Sequence, residues 1–180
     1  MLSRNRMNEI EAKAQDVLLT AFEDESAFNL PIKISKIAEM LKLTLKEGEF
    51  KDPDVVGAYD KASKTIYVAE HDPYVRKAFT IAHEMGHFIL HTDKERETFF
   101  RKDIVLSDKE ERTVEQEANY FAANLLMPRG TLTRYYKLVS DARHLADIFG
   151  VSKMVVYRLT KDAFPSEEKE ETNLKVEKKS

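Results

Sequence analysis

Asp72-Pro73-Tyr74-Val75-Arg76-Lys77-Ala78-Phe79-Thr80-Ile81-Ala82-His83-Glu84-Met85-Gly86-His87-Phe88-Ile89-Leu90-His91 is the stretch on which the reading of this chain turns. Asp72 and Pro73 suit a helix start, Asp as cap and Pro at the first helical position, and the spacing predicts a helix to about His91. Ala78, Ile81, Ala82, Met85, Phe88 and Ile89 cover one broad side, and Phe79, Gly86 and Leu90 extend it. A helix apolar over most of its girth is a buried one. Yet Arg76, Thr80, His83, Glu84, His87 and His91 fall on one stripe, at offsets 0, 4, 7, 8, 11 and 15. Polar groups on a buried helix need partners, and a metal-lined cleft would supply them.

Within that stripe, His83 and His87 stand four apart and so share a helix face. Both imidazoles can then meet one zinc ion. Glu84 lies one step round, placed to hold a water on the metal rather than the metal itself, and a carboxylate there can act as general base. A shuffle of a chain with 5 His and 20 Glu would produce His-Glu-x-x-His about 1–2% of the time. The pattern alone therefore leaves open an ordinary polar face turned to solvent. His91 drifts round the helix and reads as a neighbour rather than a ligand.

A catalytic zinc takes three protein ligands and keeps one position open. Ser107 and Glu110 have capping-box spacing, opening a second helix to Leu126 that Pro128 closes. Its apolar stripe is Val114, Ala118, Phe121, Ala122 and Leu125. Glu115 and Glu117 flank the stripe on opposite edges, each about 80° from its centre at 100° per residue. Helix geometry admits both as third ligand, and surface placement is the usual fate of either.

Outward from these two helices, residues 4–22 carry Met7, Ile10, Ala14, Val17 and Ala21 at helical spacing. Residues 23–31 break that helix. Ser35 is placed to cap a short helix through Met40, and Leu43-Thr44-Leu45 reads as a strand. Val55–Tyr59 and Thr65–Ala69 flank a polar turn at Asp60–Lys64, which predicts a hairpin. Residues 92–106 read as a loop with a short helical turn. Asp141–Phe149, Gly150 and Ser152–Lys161 resemble helix, turn, helix. The charged stretch 165–180 reads as a disordered tail.

The chain has 180 residues, 42% hydrophobic and 34% charged, with net charge −3. Its length suggests one domain, and its charge argues against a protein dominated by nucleic-acid or membrane electrostatics. Cysteine is absent, which excludes disulfides, cysteine zinc sites and cysteine nucleophiles. Residues 1–10 are too polar for a signal peptide, and no apolar run reaches the roughly 18 residues of a membrane span. The expectation is a soluble, cytoplasmic protein.

Phe79-Thr80-Ile81-Ala82-His83-Glu84-Met85-Gly86-His87 with Leu90-His91, followed about thirty residues later by Glu117-Ala118-Asn119-Tyr120-Phe121-Ala122-Ala123-Asn124-Leu125-Leu126-Met127-Pro128, resembles the two motifs of the ImmA/IrrE family of metallopeptidases. The likeness extends over roughly residues 28–160. It implies an α+β fold with a zincin-like core, mostly helical, in which a small mixed sheet packs on the active-site helix. Residues 1–27 would be an N-terminal helix, 28–128 the peptidase core, and 129–164 a C-terminal helical segment. It implies one zinc ion held by His83, His87 and Glu117, because the family pattern puts the third ligand directly before Ala-Asn, with Glu84 as catalytic base. It implies as partner a protein substrate, a helix-turn-helix repressor cleaved in mobile-element or stress regulation.

Tyr135, Tyr136, Arg143 and His144 follow the second helix and are candidates to stabilise an oxyanion. Residues 129–161 hold seven Lys/Arg against two Asp, a local charge of +5. With the helix, turn, helix pattern this raises DNA binding as the weaker reading beside packing or protein docking. The rival to a peptidase is accordingly a DNA-binding or toxin-like regulator whose metal site does not cleave.

Overall fold

The computed structural model describes residues 2–22, 28–92, 98–102, 109–139 and 141–164. Its elements are α1 (Arg4–Phe22), α2 (Ile34–Met40), β1 (Thr44–Gly48), β2 (Val55–Asp60), β3 (Thr65–Ala69), α3 (Tyr74–Leu90), β4 (Thr98–Lys102), α4 (Lys109–Leu126), α5 (Arg129–Tyr136), α6 (Ala142–Phe149) and α7 (Lys153–Ala163). The sheet runs β1-β3-β2-β4, with β1 parallel to β3 and β2 antiparallel to both β3 and β4. The architecture is the expected α+β, mostly helical with a small mixed sheet.

The β2–β3 hairpin forms where its β-rich runs and polar turn placed it. Asp60 holds the turn, its Oδ1 accepting from the Ala62 amide at 3.0 Å and its Oδ2 from the Ser63 hydroxyl at 2.6 Å, while Lys64 takes the positive φ of 49° that closes it. β4 corrects the expectation of a loop over 92–106. Thr98-Phe99-Phe100-Arg101-Lys102 lacks a strand's alternation, and its pairing partner β2 lies some 40 positions earlier, so nothing local announces it.

Two expected caps also differ. Lys33, not Ser35, precedes α2. Pro73 precedes α3, and the Asp72 carboxylate lies 3.5 Å from Arg76 instead of capping. Ser107 and the stretch 165–180 lie outside the described residues.

α3 is the hub. It packs against α4 on one side and against β2 and β3 on another. Small residues set both distances. A Cβ at Gly86 would stand 3.0 Å from Ala118 Cα, so α3 and α4 touch almost backbone to backbone there. A Cβ at Gly57 on β2 would stand 2.2 Å from Thr80 Cγ2 and 3.3 Å from Glu84 Oε1. Only glycine lets β2 pass this close to the polar stripe of α3.

α1 runs along α4 and buries Ile10, Ala14, Leu18, Ala21 and Phe22. After α5, Asp141 caps α6 by accepting from the Arg143 and His144 amides. Gly150 ends α6 at φ 63°, where a Cβ would also meet Pro31 at 2.8 Å, and Ser152 caps α7. One buried apolar cluster takes side chains from α1 through to α7, from Ile10 to Leu159, so these segments share a core.

Candidate metal centre

Past the exposed Arg76, the polar stripe of α3 does not face solvent. Thr80, His83 and Glu84 are fully buried, and His87 and His91 nearly so. His83 Nε2 and His87 Nε2 point at each other 3.0 Å apart. A carboxylate from α4 closes the group: Glu115 Oε2 is 3.1 Å from His83 Nε2, and Oε1 is 3.2 Å from His87 Nε2. Among the described residues, His83, His87 and Glu115 form the one cluster of metal-ligand type.

The expectation of Glu117 in this position is not met by the geometry. Glu117 stands on the far edge of the α4 stripe, where Arg6 Nε and Nη2 donate to its Oε1 and Oε2 at 2.8 and 2.7 Å. Its Oε2 also lies 3.0 Å from His91 Nε2. The Gly86–Ala118 contact sets how α4 lies against α3. With α4 held there, the Glu115 edge meets the histidine pair and the Glu117 edge meets α1.

The outer nitrogens show which way the imidazole protons lie. Asn119 Oδ1, an acceptor, is 3.2 Å from His83 Nδ1, so Nδ1 carries the proton and the Nε2 lone pair faces inward. The Glu117 carboxylate likewise requires the proton on His91 Nε2. Burial, aided by the Arg6 charge, lowers the pKa of His91 against the pull of the Glu117 carboxylate, which favours the neutral ring. Its Nδ1 therefore accepts, and His87 Nδ1, 3.1 Å away, donates to it. The Nε2 lone pair of His87 then also faces the centre.

Two lone pairs and a carboxylate thus converge with positive charge required between them. A divalent ion fits. Tetrahedral bonds of ~2.0–2.1 Å imply donor separations of about 3.3 Å, against the 3.0–3.2 Å found here. Two imidazoles and one carboxylate are also a borderline donor set suited to zinc. Glu84 sits beside the pair under β2, buried at Gly57, where that strand has no side chain.

The model of the IrrE N-terminal-like peptidase domain matches residues 38–160. The chain belongs to the ImmA/IrrE peptidase family. The matched span holds the sheet, α3 and α4, while α1, which supplies Arg6, precedes it. Among solved structures the chain is similar to a Mycobacterium tuberculosis transcriptional regulator, at 16% identity and a TM-score of 0.59, over 88% of this chain and 47% of that one. That likeness speaks to the fold alone, and this chain spans less than half of that protein's length. No curated protein sequence matches the chain.

Three residues beyond the ligand cluster contribute contacts, and of these only His91 had a sequence reading, as a neighbour of the histidine pair. Asn119 stands one turn after Glu115, and His91 one turn after His87, so helical spacing could have suggested both as supports. Arg6 lies 111 positions from Glu117 and gave no signal. The contacts described for the four oxyanion candidates lie away from the histidine cluster. The Tyr135 ring packs edge-on against Phe149 and the Tyr136 ring stacks on Phe164. Arg143 and His144 open the exposed start of α6, with His144 beside Asp141.

Proposed function

We propose that this ImmA/IrrE-family chain is a zinc-dependent endopeptidase in which His83, His87 and Glu115 hold the ion and Glu84 is the general base. The observation that carries this is the convergence of three ligand atoms beside a buried carboxylate on the same helix. A structural zinc site is closed by four protein ligands and has no use for such a base. Here three protein donors leave a position for water.

Bound at that position, zinc supplies Lewis acidity that makes the water easier to deprotonate and the scissile carbonyl easier to attack. Glu84 takes the proton of the attacking water and passes it to the leaving amine. Asn119 and His91 hold the two imidazoles with their lone pairs inward. Burial under β2 keeps bulk water from the Glu84 carboxylate. The substrate is a helix-turn-helix repressor, a reading supported by the family resemblance. Such a substrate places the enzyme in the cytoplasm, which the lack of cysteine suits. No described helix is long and apolar enough to cross a membrane.

Glu84→Gln tests the reading. It is expected to retain zinc and lose about 10²–10⁴-fold in cleavage of a co-encoded repressor, the usual worth of a general base. Normal cleavage by the variant, or a wild type unable to hold zinc, would overturn the mechanism.

The basic segment 129–161, in which α6 and α7 are two capped helices around Gly150, keeps a DNA-binding regulator as the second reading. Duplex retardation measured across a salt series separates the two, since phosphate contacts weaken steeply with salt. An absence of binding at low salt removes it.

A further inference from the structure

We infer that Arg6, on the helix that precedes the matched family domain, is a positioning residue for the metal centre, acting through Glu117 and His91 on His87. The inference rests on the reading of His83, His87 and Glu115 as ligands.

An unbroken series of contacts carries it. Arg6 grips both oxygens of Glu117 at 2.8 and 2.7 Å. Glu117 Oε2 lies 3.0 Å from His91 Nε2, and His91 Nδ1 lies 3.1 Å from His87 Nδ1. His87 Nε2 then faces His83 Nε2 and Glu115. Each link constrains the next. A forked guanidinium fixes the plane of the carboxylate, the carboxylate holds the His91 ring, and the His91 ring in turn holds that of His87. Partners behind a metal-ligating histidine orient the ring and raise its basicity.

A clasp that merely ties α1 to α4 is the competing account, and burial argues against it. α1 already buries Ile10, Leu18 and Phe22, so it does not need an ion pair to stay in place. Glu117 and His91 are only 9% and 6% exposed, and the Arg6 fork closes the outer end of that buried series. A second ion pair of α1 provides the comparison. Arg129 Nη1 donates to Glu11 at 3.1 Å, ties α1 to α5, and has no contact with the histidines among those described.

Zinc dissociation constants by chelator competition, and visible spectra of the cobalt-substituted protein, should be measured for the wild type, Arg6→Ala, Arg6→Lys and Arg129→Ala. Thermal melts of each metal-free protein would accompany them. Arg6→Ala is expected to weaken zinc binding about 10-fold or more, at the lower end of what outer partners contribute, and to shift the cobalt bands. Arg6→Lys, which keeps the charge and loses the fork, should fall between. Arg129→Ala should leave both readouts unchanged while lowering the melting temperature about as much as Arg6→Ala.

Equal zinc affinity and identical cobalt spectra in Arg6→Ala and wild type would overturn the inference, as would the same affinity loss in Arg129→Ala. Either result leaves the ligand set intact. A wild type that binds neither zinc nor cobalt overturns both the inference and the ligand assignment.

Discussion

Glu115 and Glu117 are separated by one residue, yet the structure gives them opposite surroundings. Glu115 lies between two imidazole nitrogens; Glu117 lies between an arginine fork and His91. Their variants should therefore differ in kind. Glu115→Ala removes a ligand and is expected to abolish tight zinc binding. Glu117→Ala removes the acceptor behind His91 and should weaken binding by about 10–100-fold, the range for outer partners. Chelator competition on the two purified variants decides it, and the opposite order would restore Glu117 as the ligand. His83, Glu84 and His87 were legible in the sequence because a single helical turn relates them. The choice between the glutamates was not, since each lies at the same angle from the apolar stripe and only the seating of α4 on α3 distinguishes them.

At the scale of elements, the site depends on how closely β2 and α4 approach α3. In an open helix Gly86→Ala would gain about 1 kcal/mol from helix propensity. Here the added methyl meets the Ala118 backbone at 3.0 Å, and overpacking of this kind costs about 1–3 kcal/mol. Gly57→Ala should be worse, because its methyl would stand 2.2 Å from Thr80 Cγ2. Thr80→Ser deletes that carbon and is expected to recover much of the loss, although the contact with Glu84 remains. Urea denaturation of Gly57→Ala alone and combined with Thr80→Ser measures this. No recovery in the pair would show that the contact is not what limits the strand. The β2–β3 hairpin was readable from two β-rich runs and a polar turn. β4 was not, because a five-residue strand with two adjacent phenylalanines is defined by its ladder rather than by its own pattern.

Across the whole molecule, the proposed ligands come from α3 and α4 and part of their support from α1, so metal binding would be coupled to the packing of three helices. Zinc at 100 times its dissociation constant adds about 2.7 kcal/mol to the folded state. For a chain of this size that corresponds to roughly 5–10 °C in melting temperature. Removing zinc with a chelator should lower the wild-type transition by that amount. Glu84→Gln should keep the shift, and Glu115→Ala should lose it. A wild type that melts identically with and without chelator would contradict the site.

By itself the sequence determined what is local. It settled the α3 helix, the His-Glu-x-x-His face upon it, the hairpin, the capped pair α6 and α7, and, through two motifs, the family. Periodicity and capping act over a few residues, so they can be read in a few residues. Tertiary structure alone decided the rest. It buried the polar stripe under β2 at Gly57, turned Glu115 toward the histidines, and brought Arg6 to Glu117 from 111 positions away. Those outcomes follow from the close approach of whole elements at Gly57 and at Gly86 against Ala118, a distance that no single segment encodes.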